Sequence, residues 1–513
     1  MVEAADLICT NGRVQIPDGS GTATGETAAA VAVRDGEIVR IGKTDEIRFL
    51  EGVETTVVDL DGRVLLPGFI DAHTHLDVLG QQQEEADLSD CTSPTACLDR
   101  LDERRTETDG WIVGFGYDES RWDGAYLTRD QLDTVSEERP VVSFREDLHV
   151  ASVNSVVLDR YGDEMPSEDV ETAGGEPTGV LVEEALTVLR EQFKPDPERM
   201  REYLLAAQAY AHSHGVTAVH DMVRQSHAPR VYRALDSAGE LTLRVRINYW
   251  ADHLDAVLET GLRTNHGSDR VETGAIKTFS DGSIGGRTAR LSEPYNDGEG
   301  RGEWVVPPEG LDDLITQVDS AGLQFTAHAI GDEAIAGVLD RLSGTDGDRH
   351  RIEHAEVLTD ELIDRLAASD CVVSVQPNFL KWAREGGLYD DRLGERRRRE
   401  SNRFGALAEQ GAQLAFGSDC MPLGPLFGIE QVVTAPEPAQ RLDVGAAVDA
   451  YTIGAAYAGY AEDRLGSVEV GKRGDFVVLD SSPWEAEEIG EIDVELTIVD
   501  GEVVFDRDGE ISP

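Results

Sequence analysis

The stretch LLPGFIDAHTHL, residues 65–76, separates two textures of sequence. Before it lie short β-rich runs cut by glycine turns: DLICTNGRV, AAAVAVRDGEIVRIG and TTVVDLDGRVLLPG. Asp-Gly between such runs is a hairpin signal. After it, strand-like and amphipathic segments alternate, the pattern of parallel strands joined by helical crossovers. The stretch is itself the first strand-like run of this second texture. It is followed by VTAVHDM (216–222), LTLRVRINYW (241–250), GAIKTFSD (274–281), QFTAHAI (324–330), RIEHAEV (351–357), CVVSVQPN (371–378) and LAFGSDCM (414–421). Eight such units closing on themselves predict an α/β fold of the (β/α)8 TIM-barrel type. Repeats of about 20–50 residues are absent, which removes solenoids and propellers.

The β-rich texture returns only in GSVEVGKRGDFVVLD and DVELTIVDGEVVFDRDG, near the C-terminus. Neither terminal piece can bury much alone. Residues 1–66 and 463–513 are therefore expected to pair into one small β-sandwich beside a barrel over 67–462; two separate flaps are the alternative. Residues 78–195 are too long for a loop and carry strand-like runs of their own, GWIVGFGY and RPVVSFREDLHV. They read as a subdomain inserted after the first barrel strand, over the barrel mouth. A second insertion, 283–310, is rich in Gly and Pro and reads as a lid. The basic run ERRRRE (395–400), with acids around it, reads as a salt-bridged helix face.

The chain carries 100 Asp and Glu against 46 Lys and Arg, a net charge of −54. Nucleic acid and anionic membrane would be repelled, so neither is expected as a partner. Acid spread along the whole chain, with lysine depleted, fits the surface of a halophile. Stability and activity should then rise together towards molar potassium chloride, as the Debye length falls from about 30 Å at 0.01 M to about 3 Å at 1 M. Thermal melts across that range check this, and equal stability in dilute buffer would contradict it. Five cysteines without a CxxC pair suit free thiols in a reducing compartment. The N-terminus lacks the basic start and apolar core of a signal peptide, and no apolar run nears the roughly 20 residues that span a bilayer. A cytoplasmic location is expected.

Polar residues collect at the strand ends. The first strand ends in His73-Thr74-His75, a spacing that points both imidazoles to one side. The fourth carries Lys277, the fifth His328, the sixth His354 and the eighth Asp419. In a barrel the C-terminal strand ends meet around one mouth, so these six side chains can converge. Imidazole and carboxylate suit zinc and other borderline divalent metals. Lys277 is one of five lysines against 41 arginines. Unlike arginine, a buried lysine can lose its proton and become a nucleophile or a modified ligand. Each residue also has a blander reading: a hydrogen-bonded core histidine, a helix cap at Asp419, an ion pair between Lys277 and Asp281. Taken together, six coincidences at the same end of alternating elements make the poorer account.

The ordered set PGFIDAHTHL, IKTFSDGSIGGRTA, HAIGDEAI, RIEHAEV, FGSDCMPLGPL and GSVEVGKRGDFVVLD spans nearly the whole chain. It resembles the amidohydrolase superfamily and, within it, the YtcJ-like (amidohydrolase 3) branch of metal-dependent hydrolases. The resemblance implies one or two divalent metal ions, zinc first, with manganese and iron open. It places His73, His75 and Asp419 on the more buried ion, His328 and His354 on the second, and a carbamate on Lys277 across both. A carbamate needs a neutral amine, which burial favours and a guanidinium cannot supply. The implied reaction is hydrolysis of a non-peptide C–N bond in a small amide-like substrate. The metal would bring a water's pKa towards about 7, and Asp419, the catalytic residue, would take a proton and pass it to the leaving nitrogen.

Arg287, Asp332 and His149 are candidate substrate-binding residues. Arg287 could hold a carboxylate or pair with a structural acid. Asp332 either caps the following helix or reaches the site, and His149 either hangs over the mouth or is structural. A deaminase on the same barrel is one rival reading, but Gly331 stands three residues after His328, where many such enzymes carry Glu. Esterase or lactonase chemistry and a non-catalytic regulatory relative are the others. The substrate stays open, as does the oligomeric state, with which a homodimer is compatible.

Overall fold

The structure, a computed structural model, describes residues 3–16, 27–122, 124–146 and 150–509. They form two compact units, Met1–Leu76 with Gln208–Pro513 and Asp77–Ala207.

In the first unit, eight parallel strands follow one another in chain order around one sheet. They are β1 (Phe69–Thr74), β2 (Val216–Val223), β3 (Arg244–Trp250), β4 (Val271–Phe279), β5 (Gln324–Ala329), β6 (Arg351–His354), β7 (Val372–Val375) and β8 (Gln413–Phe416). Each falls on one of the runs expected from sequence. Strands β1, β2, β3, β5, β6 and β7 are buried along their whole length, as a sheet covered on both faces requires. The seam closes just past β8, where the amides of Ser418 and Asp419 donate to the His73 carbonyl at 3.1 and 2.7 Å. Gly417 permits that approach, because a Cβ there would lie 2.3 Å from the His73 nitrogen.

The opening stretch serves two domains. Val64–Pro67 is a sandwich strand, and β1 starts two residues later. One sandwich sheet runs Glu37–Gly42, Ala30–Arg34, Leu7–Thr10, Thr56–Asp59. The other runs Glu502–Asp506, Val494–Val499, Phe476–Leu479, Val64–Pro67, Arg13–Gln15, Thr27–Ala28. The two ends of the chain meet in this second sheet, with Phe476 opposite Pro67 in an antiparallel pair. Leu7, Val31, Val33, Leu65, Phe476 and Ile498 share one core. The tight turns are the expected Asp-Gly pairs: φ is 51° and 77° at Asp35-Gly36, and 52° and 79° at Asp500-Gly501. Positive φ at both positions gives a turn whose twist matches the strands.

The unit Asp77–Ala207 has its own six-stranded sheet, in the order Val170–Ala173, Glu176–Val182, Val150–Val153, Val141–Arg145, Ile112–Tyr117, Ala86–Asp87. Phe144, Leu181 and Leu189 lie in its core. The sequence reading sets the insertion at 78–195. The arginine-rich helix Leu388–Arg399 is salt-bridged as expected: Arg396 pairs with Glu293 (2.7 Å) and Glu400 (3.0 Å), and Arg399 with Glu437 (2.7 Å). No helix among the described residues is long and apolar enough to cross a membrane.

Candidate metal centre

Four imidazoles gather at the C-terminal strand ends, each held by one nitrogen. His73 Nδ1 lies 2.6 Å from Glu353 Oε2, and its Nε2 faces Asp419 Oδ1 at 3.7 Å. His75, just past β1, donates from Nδ1 to the Met222 carbonyl (2.9 Å) and turns Nε2 to the same Asp419 oxygen (3.2 Å). His354 Nδ1 donates to Gln376 Oε1 (2.7 Å), and His328 Nε2 donates to the Gly282 carbonyl (3.0 Å). An acceptor at one nitrogen fixes the proton there and puts the lone pair on the other, the state in which imidazole binds metal. Ring centroids of His73 and His354 are 4.9 Å apart, and those of His328 and His354 4.5 Å. Ligand atoms of His73, His354 and Asp419 lie within 4.8 Å of one another.

The charges fit that use. Burial, with the Lys277 cation nearby, lowers the pKa of His73 and brings that of His328 down to about 3. Burial and the neighbouring imidazoles do the same to His354. All three are neutral at pH 7. Burial works against a charge on Asp419, yet His73 and His75 hold it well below the usual carboxylate range. Lys277, in β4, is 1% exposed, and burial lowers its pKa to about 8. Its Nζ has no hydrogen-bond partner among the described residues. Buried amines are normally paired, so this nitrogen is free to react or to bind a ligand. His354 and Asp419 have φ of 72° and 53°, a left-handed conformation that His and Asp adopt more readily than most residues. At both ends the chain turns sharply as it leaves the strand, and a candidate ligand sits on the turn.

The residues that hold these imidazoles escaped the sequence reading. Glu353 is fully buried, accepts from Thr326 Oγ1 (2.5 Å) and is ion-paired at 2.8 Å with the equally buried Arg351. Burial would raise its pKa, but Arg351 and His73 hold it well down. Adjacent residues of a regular strand face opposite sides. The left-handed turn at His354 lets both Glu353 and His354 reach the site, which period-two reading cannot foresee. The acid beside a histidine in RIEHAEV is the one visible signal. Glu353→Gln keeps the size and an acceptor but leaves Arg351 without its counter-charge. Metal affinity should fall by about 10–100-fold, with a lower melting temperature. Metal titration and melts check this, and unchanged affinity would reduce Glu353 to packing.

Of the blander readings, the hydrogen-bonded histidines and a structural acid for Arg287 are both present; the Lys277–Asp281 pair and the caps at Asp419 and Asp332 are not. Asp281 accepts from the amides of Arg290, Ile330 and Gly331 rather than from Lys277. Helix Pro425–Val433 is capped at Gly424, not at Asp419. Asp332 leaves the cap position of its helix to Gly331 and binds the amide and hydroxyl of Ser292. Arg287, φ 59°, grips Asp297 with two hydrogen bonds of 3.0 and 2.7 Å. His149 lies outside the described residues.

Known proteins share this arrangement of fold and motifs. The pattern described as "Amidohydrolase family" matches residues 56–505. The chain is 31% identical over 517 residues to the Bacillus subtilis protein that bears the name amidohydrolase YtcJ, across 94% of this chain and 97% of that protein. It is 26% identical over 557 residues to the N-substituted formamide deformylase of Arthrobacter pascens, across 99% and 100%. The crystal structure of an uncharacterised metal-dependent hydrolase from Pyrococcus furiosus matches with a TM-score of 0.80 at 29% identity, across 93% of this chain and 100% of that one. With the family pattern running from the sandwich through the barrel and back into the sandwich, the chain belongs to the amidohydrolase family.

Proposed function

We propose that the chain hydrolyses a non-peptide C–N bond in a small amide-like substrate, at a metal centre held by His73, His75, His328, His354, Asp419 and a carbamate on Lys277. One observation carries this reading: four imidazoles, each tied at one nitrogen, surround an anionic Asp419 and a buried amine without a partner. Imidazole nitrogens with carboxylate oxygens suit zinc and related divalent ions. When bound, such an ion supplies Lewis acidity and a water that ionises near neutral pH. Asp419 Oδ1, at 3.2 Å from His75 and 3.7 Å from His73, is placed to accept a proton and return it to a leaving nitrogen. Glu353, Gln376 and the carbonyls of Met222 and Gly282 keep the imidazoles in their tautomers meanwhile.

Similarity to a formamide deformylase makes N-substituted formamides the first substrates to test. Metal-replete protein should be assayed on these, on N-acyl amino acids, on cyclic amides and on matched esters. Hydrolysis of a C–N substrate that stops on chelation is expected. Turnover of esters alone, or none at all with metal present, would overturn the reading.

A further inference from the structure

At the other end of the barrel, by the N-terminal ends of β3 and β4, lies a recess of about 40 Å³ that the proposed reaction does not use. Five arginines and two acids line it, an excess of cations in a chain of net charge −54. Four of the arginines hold a carboxylate closely: Arg244 with Asp475 (2.7 Å), Arg270 with Asp500 (2.8 Å), Arg464 with Glu272 (2.6 Å) and Arg473 with Asp269 (2.6 Å). Arg246 does not. It is 5% exposed, the carboxylate it reaches, on Glu272, stands at 3.7 Å, and its Nε has no partner among the described residues. Among the described residues, its other nitrogens hydrogen-bond to the neutral acceptors Asn265 (2.5 Å) and Gln324 (3.5 Å).

His220 supplies a second donor. Its Nδ1 lies 2.8 Å from Arg351 Nη1. A guanidinium has no lone pair to offer, so Nδ1 accepts and the proton of the neutral ring sits on Nε2. That Nε2 is 2.9 Å from where a Cβ on Gly459 would stand, and Arg246 Cδ is 3.3 Å from the same point. Gly459 has φ of −103°, which any residue adopts, so space rather than backbone conformation accounts for the glycine. A side chain there would press on the imidazole, so the glycine lets the His220 N–H and the Arg246 stem lie close together at the recess.

We propose that this recess binds a small monovalent anion such as chloride, held by Arg246 and by the Nε2–H of His220. The recess has room for one such ion. Burial lowers the pKa of Arg246 to about 10, a cost that a neighbouring anion relieves. The half-exposed Arg464 and Asp269 leave the rim open to solvent. From His220 a chain of contacts runs through Arg351 (2.8 Å) and Glu353 (2.8 Å) to His73 (2.6 Å). An anion at the barrel floor therefore bears on an imidazole of the candidate metal centre.

The test compares the full-length protein in potassium chloride and in potassium gluconate at equal ionic strength, and locates bromide by anomalous scattering in crystals grown with it. Wild type should melt about 2 °C or more higher in chloride, an advantage that saturates. Bromide should appear between His220 Nε2 and Arg246. Gly459→Ala, whose methyl would crowd His220 Nε2, and Arg246→Met, which removes the charge, should both lose the saturating advantage and the bromide. Wild-type crystals without bromide there would overturn the proposal, whatever the variants do. A bromide peak and a chloride advantage that survive Gly459→Ala would mark an adventitious ion only, and would overturn it too.

Discussion

Asp419→Asn is expected to keep most of its metal and to lose activity by about 100-fold or more, the scale of a general acid–base group. Asparagine preserves the size and one carbonyl oxygen to face the Nε2 atoms of His73 and His75, but it cannot shuttle a proton. It also tolerates the left-handed φ of 53° at this position. The amide that donates to the His73 carbonyl, and with it the barrel seam, should stay in place. His73→Ala makes the contrast. It removes a proposed ligand outright and leaves Glu353 without its imidazole, so metal and activity should fall together. Metal content and turnover must be measured on the same samples. A metal-replete Asp419→Asn enzyme with near-normal turnover would show that another group moves the proton, leaving the ligand set standing and the proton route wrong.

Lys277→Met should cost more than the roughly 10–100-fold that follows loss of a partner behind a ligand, because it removes a proposed ligand itself. Met fills the buried volume, so the loss is chemical and the fold should survive. Wild type grown with ¹³C-bicarbonate should show a carbamate resonance that the variant lacks. Lys277→Ala, which leaves a void, should regain part of its activity with formate or acetate, small carboxylates that can stand in for the carbamate. The pH dependence has a definite sign. Carbamate forms on the neutral amine, and with a pKa of about 8 the neutral fraction falls about tenfold per unit below that value. Reconstitution of metal-free protein with metal and bicarbonate should therefore quicken as pH rises to 8 and level off above it. Full activity in Lys277→Met, or electron density ending at Nζ in a fully metallated crystal, would remove the carbamate.

The barrel could be read from sequence because most of its strands are buried on both faces. They stand out as continuous apolar runs in which His73, Lys277 or His328 is conspicuous. The Asp-Gly turns of the sandwich were legible for a local reason, since positive φ at two successive positions narrows the choice of residues. Glu353 and Gln376 were not legible. Their role depends on the turn at His354 and on a neighbouring strand, and neither leaves a periodic trace. The same holds for Arg287, whose partner Asp297 is fixed by the path of a segment without helix or strand. Residues that act at the end of a strand could be seen; residues that act through another side chain could not.

The meeting of the two chain ends in one sheet also sets a timetable for biosynthesis. Val64–Pro67 must wait for Phe476–Leu479, and 409 positions separate Pro67 from its partner Phe476. At about 5–20 residues per second, a ribosome needs on the order of 20–80 s to make that interval. Throughout it the N-terminal strands have an open edge and an apolar face, and the barrel condenses between them and their partner. Nascent chains stalled before residue 476 should thus be cut by protease within the first 66 residues even where the barrel already resists. A strand made 409 residues later thus shelters one made early.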